Sequence, residues 1–214
     1  PRGRTTVING GPGSGKTLVG LNVATRNRDG PKPTHAVFLS GNGPLVSVLT
    51  EALTRDEVKR RKEQGEKVRK GKVRESVKAF IQNVHHFRDE GIANSGPPAD
   101  HIVIFDEAQR AWNLRKTQNF MHQKKKRPNF SMSEPEFLLS YMDRHDDWAL
   151  VTCLVGGGQE IHTGEAGIGA WMEAVADRFP DWDVFMPARL TDSEYAAENA
   201  MNRIRGRPNT FFDD

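Results

Sequence analysis

GGPGSGKT at residues 10–17, preceded by TTVI at 5–8 and followed by LVGLNV at 18–23, decides the fold of this chain. A short apolar strand that ends in a glycine-rich turn and opens a helix aims backbone N–H groups and the positive end of the helix dipole at one point. A polyphosphate can sit there. Gly10, Gly11, Gly13 and Gly15 let the backbone wrap a phosphate with no Cβ in the way, Lys16 reaches the outer phosphates, and the Thr17 hydroxyl is a ligand for Mg²⁺. Pro12, Ser14 and Leu18 complete the expected nucleotide-contacting run, with ATP and Mg²⁺ as the expected cofactors.

Working outward, HIVIFDEAQ at 101–109 is an apolar strand ending in two adjacent carboxylates. In a parallel sheet the carboxyl ends of the strands form the ligand edge, so Asp106 and Glu107 are expected on the same rim as the glycine-rich turn. Asp106 is the expected metal-shell residue, and Glu107 the base that orients and deprotonates an attacking water. LVTCLVGGGQE at 150–160 gives another strand, whose glycines permit close backbone approach and whose Gln159 offers an amide suited to sensing a terminal phosphate or the lytic water. AVFLSGNGP at 36–44 places Ser40, Gly41 and Asn42 at a further strand end. Two readings stand for them: a grip on a nucleic-acid phosphate, or a strand-to-helix turn.

Buried strands are expected at Thr6–Ile8, Ala36–Leu39, Ile102–Phe105, Ala149–Val155 and Val184–Met186, with a further short one at Val84–Phe87. Nearly continuous apolar strands alternating with helix-length stretches predict an α/β fold with a mainly parallel sheet covered on both faces. Helices are expected from Lys16 to Arg26, from Gly43 into the basic stretch, interrupted around Gly65 and Gly71 by a flexible break and followed by a second helix that ends near Ile81, from a capping box at Ser133–Glu136, and over Gly167–Phe179. In that last helix the stripe of Trp171, Met172, Val175 and Phe179 reads as core. Residues 114–135 show no clear periodicity and are expected to be a mobile basic insertion.

The length of 214 residues suits one domain over 1–214 with polar elaborations. The single cysteine, Cys153, excludes an intrachain disulfide and reads as a buried thiol, which makes the cytosol the expected compartment. No apolar run approaches the roughly 18 residues of a membrane span. The net charge of +3 is unevenly placed: residues 55–78 hold eleven Lys/Arg against five Asp/Glu, and Lys124–Arg127 form a second cluster. Such runs are the footprint of a polyanion partner or the solvated face of a helix.

The stretches GGPGSGKT at 10–17, VFLSGNGPL at 37–45, NVHHFRDE at 83–90, HIVIFDEAQRAW at 101–112 and VGGGQEIHTGEAGIGAW at 155–171 resemble the Schlafen group 3-like DNA/RNA helicase family, a bacterial family related to superfamily 1 helicases. The resemblance implies a RecA-like P-loop NTPase core, ATP as nucleotide and single-stranded DNA or RNA as the track. By motif position Lys16 and Thr17 match Walker A, Asp106 and Glu107 match Walker B, Gln159 resembles the glutamine of motif III, and Ser40–Asn42 take the place of motif Ia. It also implies a second RecA-like domain, in a longer parent chain, that supplies an arginine finger. Arg189, Arg203, Arg205 and Arg207 fit no such motif, so slow hydrolysis is expected of this chain alone. A nucleotide switch that responds to ATP without unwinding is the competing expectation. A small-molecule kinase is disfavoured, because Glu107 beside the metal carboxylate suits water activation.

Overall fold

The computed structural model describes residues 2–10, 14–28, 36–156, 163–191 and 198–213. Seven strands form one sheet: β1 (Arg2–Gly10), β2 (Ala36–Ser40), β3 (Ile81–Asn83), β4 (Ile102–Asp106), β5 (Trp148–Gly156), β6 (Asp183–Pro187) and β7 (Thr210–Asp213). Their order is β3-β2-β4-β5-β1-β6-β7, and every pairing is parallel. The described helices are α1 (Lys16–Arg28), α2 (Gly43–Glu63), α3 (Lys70–Phe80), α4 (Val84–Ala93), α5 (Leu114–Lys125), α6 (Glu134–Met142), α7 (Gly167–Arg178) and α8 (Glu198–Arg205). This is the α/β RecA-like fold that the sequence led us to expect.

Every residue of β2 and β4 is buried, because both faces of the sheet are covered. Val37, Leu39, Val103, Phe105, Val151 and Cys153 join one core with residues of α4, α6, α7 and α8. Ala36, Phe38, Ile102, Ile104 and Leu154 join the other, with Leu21 and Ala24 of α1 and Val73, Val77 and Phe80 of α3. Alternate side chains of a strand point to opposite faces, so a doubly covered strand must be apolar throughout. Helix α1 lies so close to the sheet that a Cβ on Gly20 would stand 2.8 Å from Leu154 and 2.9 Å from Ile104. The stripe Trp171, Met172, Val175 and Phe179 is core, and burial pushes the Cys153 thiol up, away from any reactive range.

Register fixes the functional edge. Gly10 pairs with Gly156, Asp106 with Leu154, and Ser40 with both Asp106 and Asn83, so five strands end together. Strand β5 lies between the strand that leads into the glycine-rich turn and the strand that carries Asp106.

Two local expectations are corrected. Val84–Phe87 is not a strand: the strand is β3, just before it, and Asn83 caps α4 by accepting a hydrogen bond from the His85 backbone N–H at 2.9 Å. Residues 114–135 include regular structure. They contain α5, capped by Asn113, with Thr117 and Met121 buried. The expected second helix is α3, ending at Phe80, and Gly65, with φ of +82°, lies in the break before it, but Gly71 falls inside α3 rather than in the break. Helix α8 and the edge strand β7 were not anticipated. Ser133 does cap α6, its hydroxyl accepting from the Glu136 N–H at 3.3 Å. Among the described residues no helix is long and apolar enough to cross a membrane.

Candidate functional site at the carboxyl edge of the sheet

Strand β4 carries Asp106 to the edge as its last residue, and α1 begins there at Lys16. The Thr17 hydroxyl donates to Asp106, lying 3.3 Å from Oδ1 and 3.5 Å from Oδ2, which joins two segments 89 residues apart in sequence. Asp106 is only 2% exposed. Burial pushes its carboxyl up to about 6, the neighbouring charge of Glu107 adds to this, and the Thr17 hydrogen bond, the Lys16 ammonium and the Glu107 N–H offset it only in part. Lys16 also donates to the Ser14 hydroxyl at 3.4 Å. Gly15 takes φ of +84°, a conformation open to glycine, and its carbonyl accepts from Val19 N–H in the first turn of α1. Leu18 is 70% exposed beside them. Gly11, Pro12, Gly13 and Gln159 lie outside the described residues.

Glu107 sits in the left-handed region, with φ of 54° and ψ of 48°. That conformation is uncommon for a residue with a side chain, and its surroundings hold it there. Gln109 donates from Nε2 to Glu107 Oε2 at 2.6 Å, while its Oε1 accepts from the Gly156 N–H at 3.4 Å. Arg110 Nε stands 3.9 Å from the same carboxylate, and the Trp171 indole N–H donates to the Ala108 carbonyl at 2.9 Å. Gln109 thus links the carboxylate after β4 to the end of β5. Sequence reasoning quoted it within the strand motif but gave it no role. Its signal was a polar residue, 5% exposed in the structure, two positions beyond Glu107.

The stretch behind this pair is fastened on both sides. Ala166 N–H donates to Ala111 O at 2.7 Å, Asn113 N–H to Gly164 O at 2.9 Å, and Trp112 and Glu165 form an antiparallel bridge. Gly156 and residues 164–166, which flank 157–162, are therefore both hydrogen-bonded to the 109–113 stretch. Beneath Trp112, Arg88 donates to Glu134 Oε1 at 3.0 Å and the Trp112 N–H donates to Oε2 at 2.9 Å. The Arg88 guanidinium also lies over the rings of Trp112, at 4.9 Å, and Phe120, at 4.5 Å.

At the end of β2, Ser40 is fully buried and its hydroxyl accepts from Asn42 N–H at 3.2 Å. Asn42 caps α2, its side chain accepting from Leu45 N–H at 3.2 Å. These bonds account for both residues as turn formers, while Gly41 and Asn42 remain exposed on the edge. Of the arginines noted in the sequence, Arg207 is tied to the carbonyls of Val175, Phe179 and Trp182, and Arg203 pairs with Asp177.

A parallel sheet with these polar groups at one edge defines an α/β domain of the RecA-like class. The family model for the Schlafen group 3, DNA/RNA helicase domain matches residues 3–193, and the chain belongs to that family. Membership implies a helicase-type domain with nucleotide-dependent activity on nucleic acids. Comparison with the curated proteins and with the solved structures returns no match.

Proposed function

We propose that this domain binds ATP with Mg²⁺ at the carboxyl edge and hydrolyses it in the course of acting on a nucleic-acid strand. The observation that carries the reading is the Thr17–Asp106 contact. An alcohol and a carboxylate converging on one spot form the all-oxygen donor set that a hard divalent cation takes, so the residues fit Mg²⁺. When bound, the ion neutralises charge on the outer phosphate oxygens. Thr17 and Asp106 would hold it. The Lys16 ammonium and the N–H groups of Gly10, Gly11, Gly13, Ser14, Gly15, Lys16, Thr17 and Leu18 bind the phosphates, with Pro12, which has no N–H to donate, within the same run.

Glu107 takes the proton of the attacking water, and Gln109 fixes the direction of that carboxylate. Gln159 senses the terminal phosphate from the segment that follows Gly156. Gly41 and Asn42, with Ser40 shaping their turn, meet the strand of DNA or RNA, and a second RecA-like domain supplies an arginine finger. The test is steady-state ATP hydrolysis by the full-length protein in Mg²⁺, with and without single-stranded DNA or RNA. Stimulation by the strand is expected. ATP binding with turnover indifferent to nucleic acid would contradict the motor and leave a nucleotide switch.

A further inference from the structure

Helix α2 is 21 residues long, yet Thr50 and Thr54 are its only buried positions. Its last nine residues, from Arg55, hold no buried position and only Val58 packs partly against the core, while α3 folds back against α2. Charge explains what this projection is for. Residues 55–78 carry eleven Lys/Arg and five Asp/Glu, whereas the whole chain has 31 and 28. The rest of the chain is thus net negative by three, and the entire positive balance lies on this hairpin.

Two of the five acids of residues 55–78, Glu57 and Glu63, are held by cations of the hairpin, as is Glu51 just before it. Glu51 receives Arg55 and Lys70 at 2.7 Å and Arg74 at 3.4 Å, and the hydrogen bonds from Lys70 first and then Arg55 hold its carboxyl down at about 2. Glu57 pairs with both Arg60 and Arg61, and Glu63 lies 3.9 Å from Lys59. Lys62, Lys67, Arg69 and Lys72 are exposed at the far end, and their side chains have no ion-pair or hydrogen-bond partner among the described residues. An open cavity of about 490 Å³ lies between the helices, lined by Arg55, Val58, Lys59, Lys62, Glu63 and Lys70.

The second basic cluster behaves differently. Lys125 pairs with Asp89 at 2.7 Å and Arg127 donates to the Ile92 carbonyl at 3.1 Å, so half of that cluster fastens α5 to α4.

We propose that the α2–α3 hairpin docks the phosphate backbone of duplex nucleic acid through Lys62, Lys67, Arg69 and Lys72. This rests on the nucleic-acid reading above and adds a surface distinct from the carboxyl edge. No aromatic residue or histidine occurs between Arg55 and Lys78. Binding to a flexible single strand gains much of its strength from bases stacked on aromatic rings, and such rings are missing here. A rigid array of cations instead suits the closely spaced phosphates of a duplex and reads no sequence.

The test is fluorescence anisotropy of a labelled duplex of about 20 base pairs, as DNA and as RNA, and of the matching single strand, titrated with the full-length protein across salt. Carrying Lys62→Gln, Lys67→Gln, Arg69→Gln and Lys72→Gln together should reduce the slope of log K against log salt on duplex by about 3 to 4. Between about 50 and 200 mM salt this means that the unaltered protein loses roughly 100-fold more affinity than the variant. The single-strand slope should stay near its original value, as should both slopes in a Lys124→Gln, Lys126→Gln control. An unchanged duplex slope overturns the hairpin proposal, and so does an equal loss on duplex and single strand. Failure of the unaltered protein to bind either form would instead overturn the nucleic-acid reading on which the proposal rests.

Discussion

Asp106 and Glu134 are buried to nearly the same depth, at 2% and 1% exposure, yet their surroundings differ in kind. Each oxygen of Glu134 has its own N–H donor, Arg88 on Oε1 and the Trp112 backbone on Oε2. Both oxygens of Asp106 share the Thr17 hydroxyl at more than 3.2 Å with the Glu107 N–H beside it, and a second carboxylate is next in sequence. Burial pushes both acids up, Asp106 to about 6 with the Glu107 charge adding to the rise, whereas at Glu134 the Trp112 N–H and Arg88 oppose it. A buried charge whose donors are complete belongs to the framework. One that rests on a shared hydroxyl beside another acid is a place where a cation and its ligand gain energy by arriving.

The largest effect expected from this contrast is on stability. Glu134→Ala leaves the Arg88 guanidinium buried without its carboxylate and should cost about 3 to 5 kcal/mol, a fall in Tm on the order of 10 °C for a domain of this size. Asp106→Asn should move Tm the other way, upward by a few degrees at neutral pH, because it removes a buried charge that its neighbours do not balance. Thermal melts of the two variants beside the unaltered protein decide this, and a fall for Asp106→Asn would erase the distinction.

A smaller effect sharpens it. His85 Nδ1 lies 4.0 Å from Glu134 Oε1, with Arg88, Asp89, His86 and Lys116 around it, yet its ring is lowered from 6.5 to about 4, first by burial and then by the Arg88 charge. The imidazole stays neutral because Arg88 already balances Glu134. In the unfolded chain His85 takes a proton near pH 6.5, whereas in the folded one it waits until about 4. Its contribution is therefore whole above 6.5 and is lost as pH falls through that window. Tm measured against pH should fall less steeply between those values in His85→Gln, and identical profiles would remove His85 from the account.

The difference between these two carboxylates also marks what could be read from sequence. Asp106 was legible because a strand of IVIF delivers it and a glycine-rich turn implies its partner. Glu134 was quoted only as part of a helix start, and nothing local reveals that it turns inward to an arginine 46 residues away. Gln109 was missed for the same reason, since its second partner lies on β5. Strands β2 and β4 and the inner part of β5 were plain, because coverage on both faces makes them nearly continuous in apolar residues.

The three residues of β3 were displaced onto the start of α4, where Val84 and Phe87 are apolar for helical packing. Helix α5 buries only Thr117 and Met121, too few positions for a readable period. β7 is an edge strand whose Phe211 and Phe212 stay 44% and 43% exposed, with Phe211 stacked on Phe185, and gives no alternation of apolar and polar residues.

The central claim is that the carboxyl edge hydrolyses ATP with Glu107 as base, and it is most directly tested by Glu107→Gln, assayed for both Mg²⁺-ATP binding and turnover beside Lys16→Ala. Retained binding in Glu107→Gln with turnover down by about 10² to 10⁴, and loss of binding or turnover in Lys16→Ala, is the expected pair of results. Undiminished turnover in either variant would contradict the account.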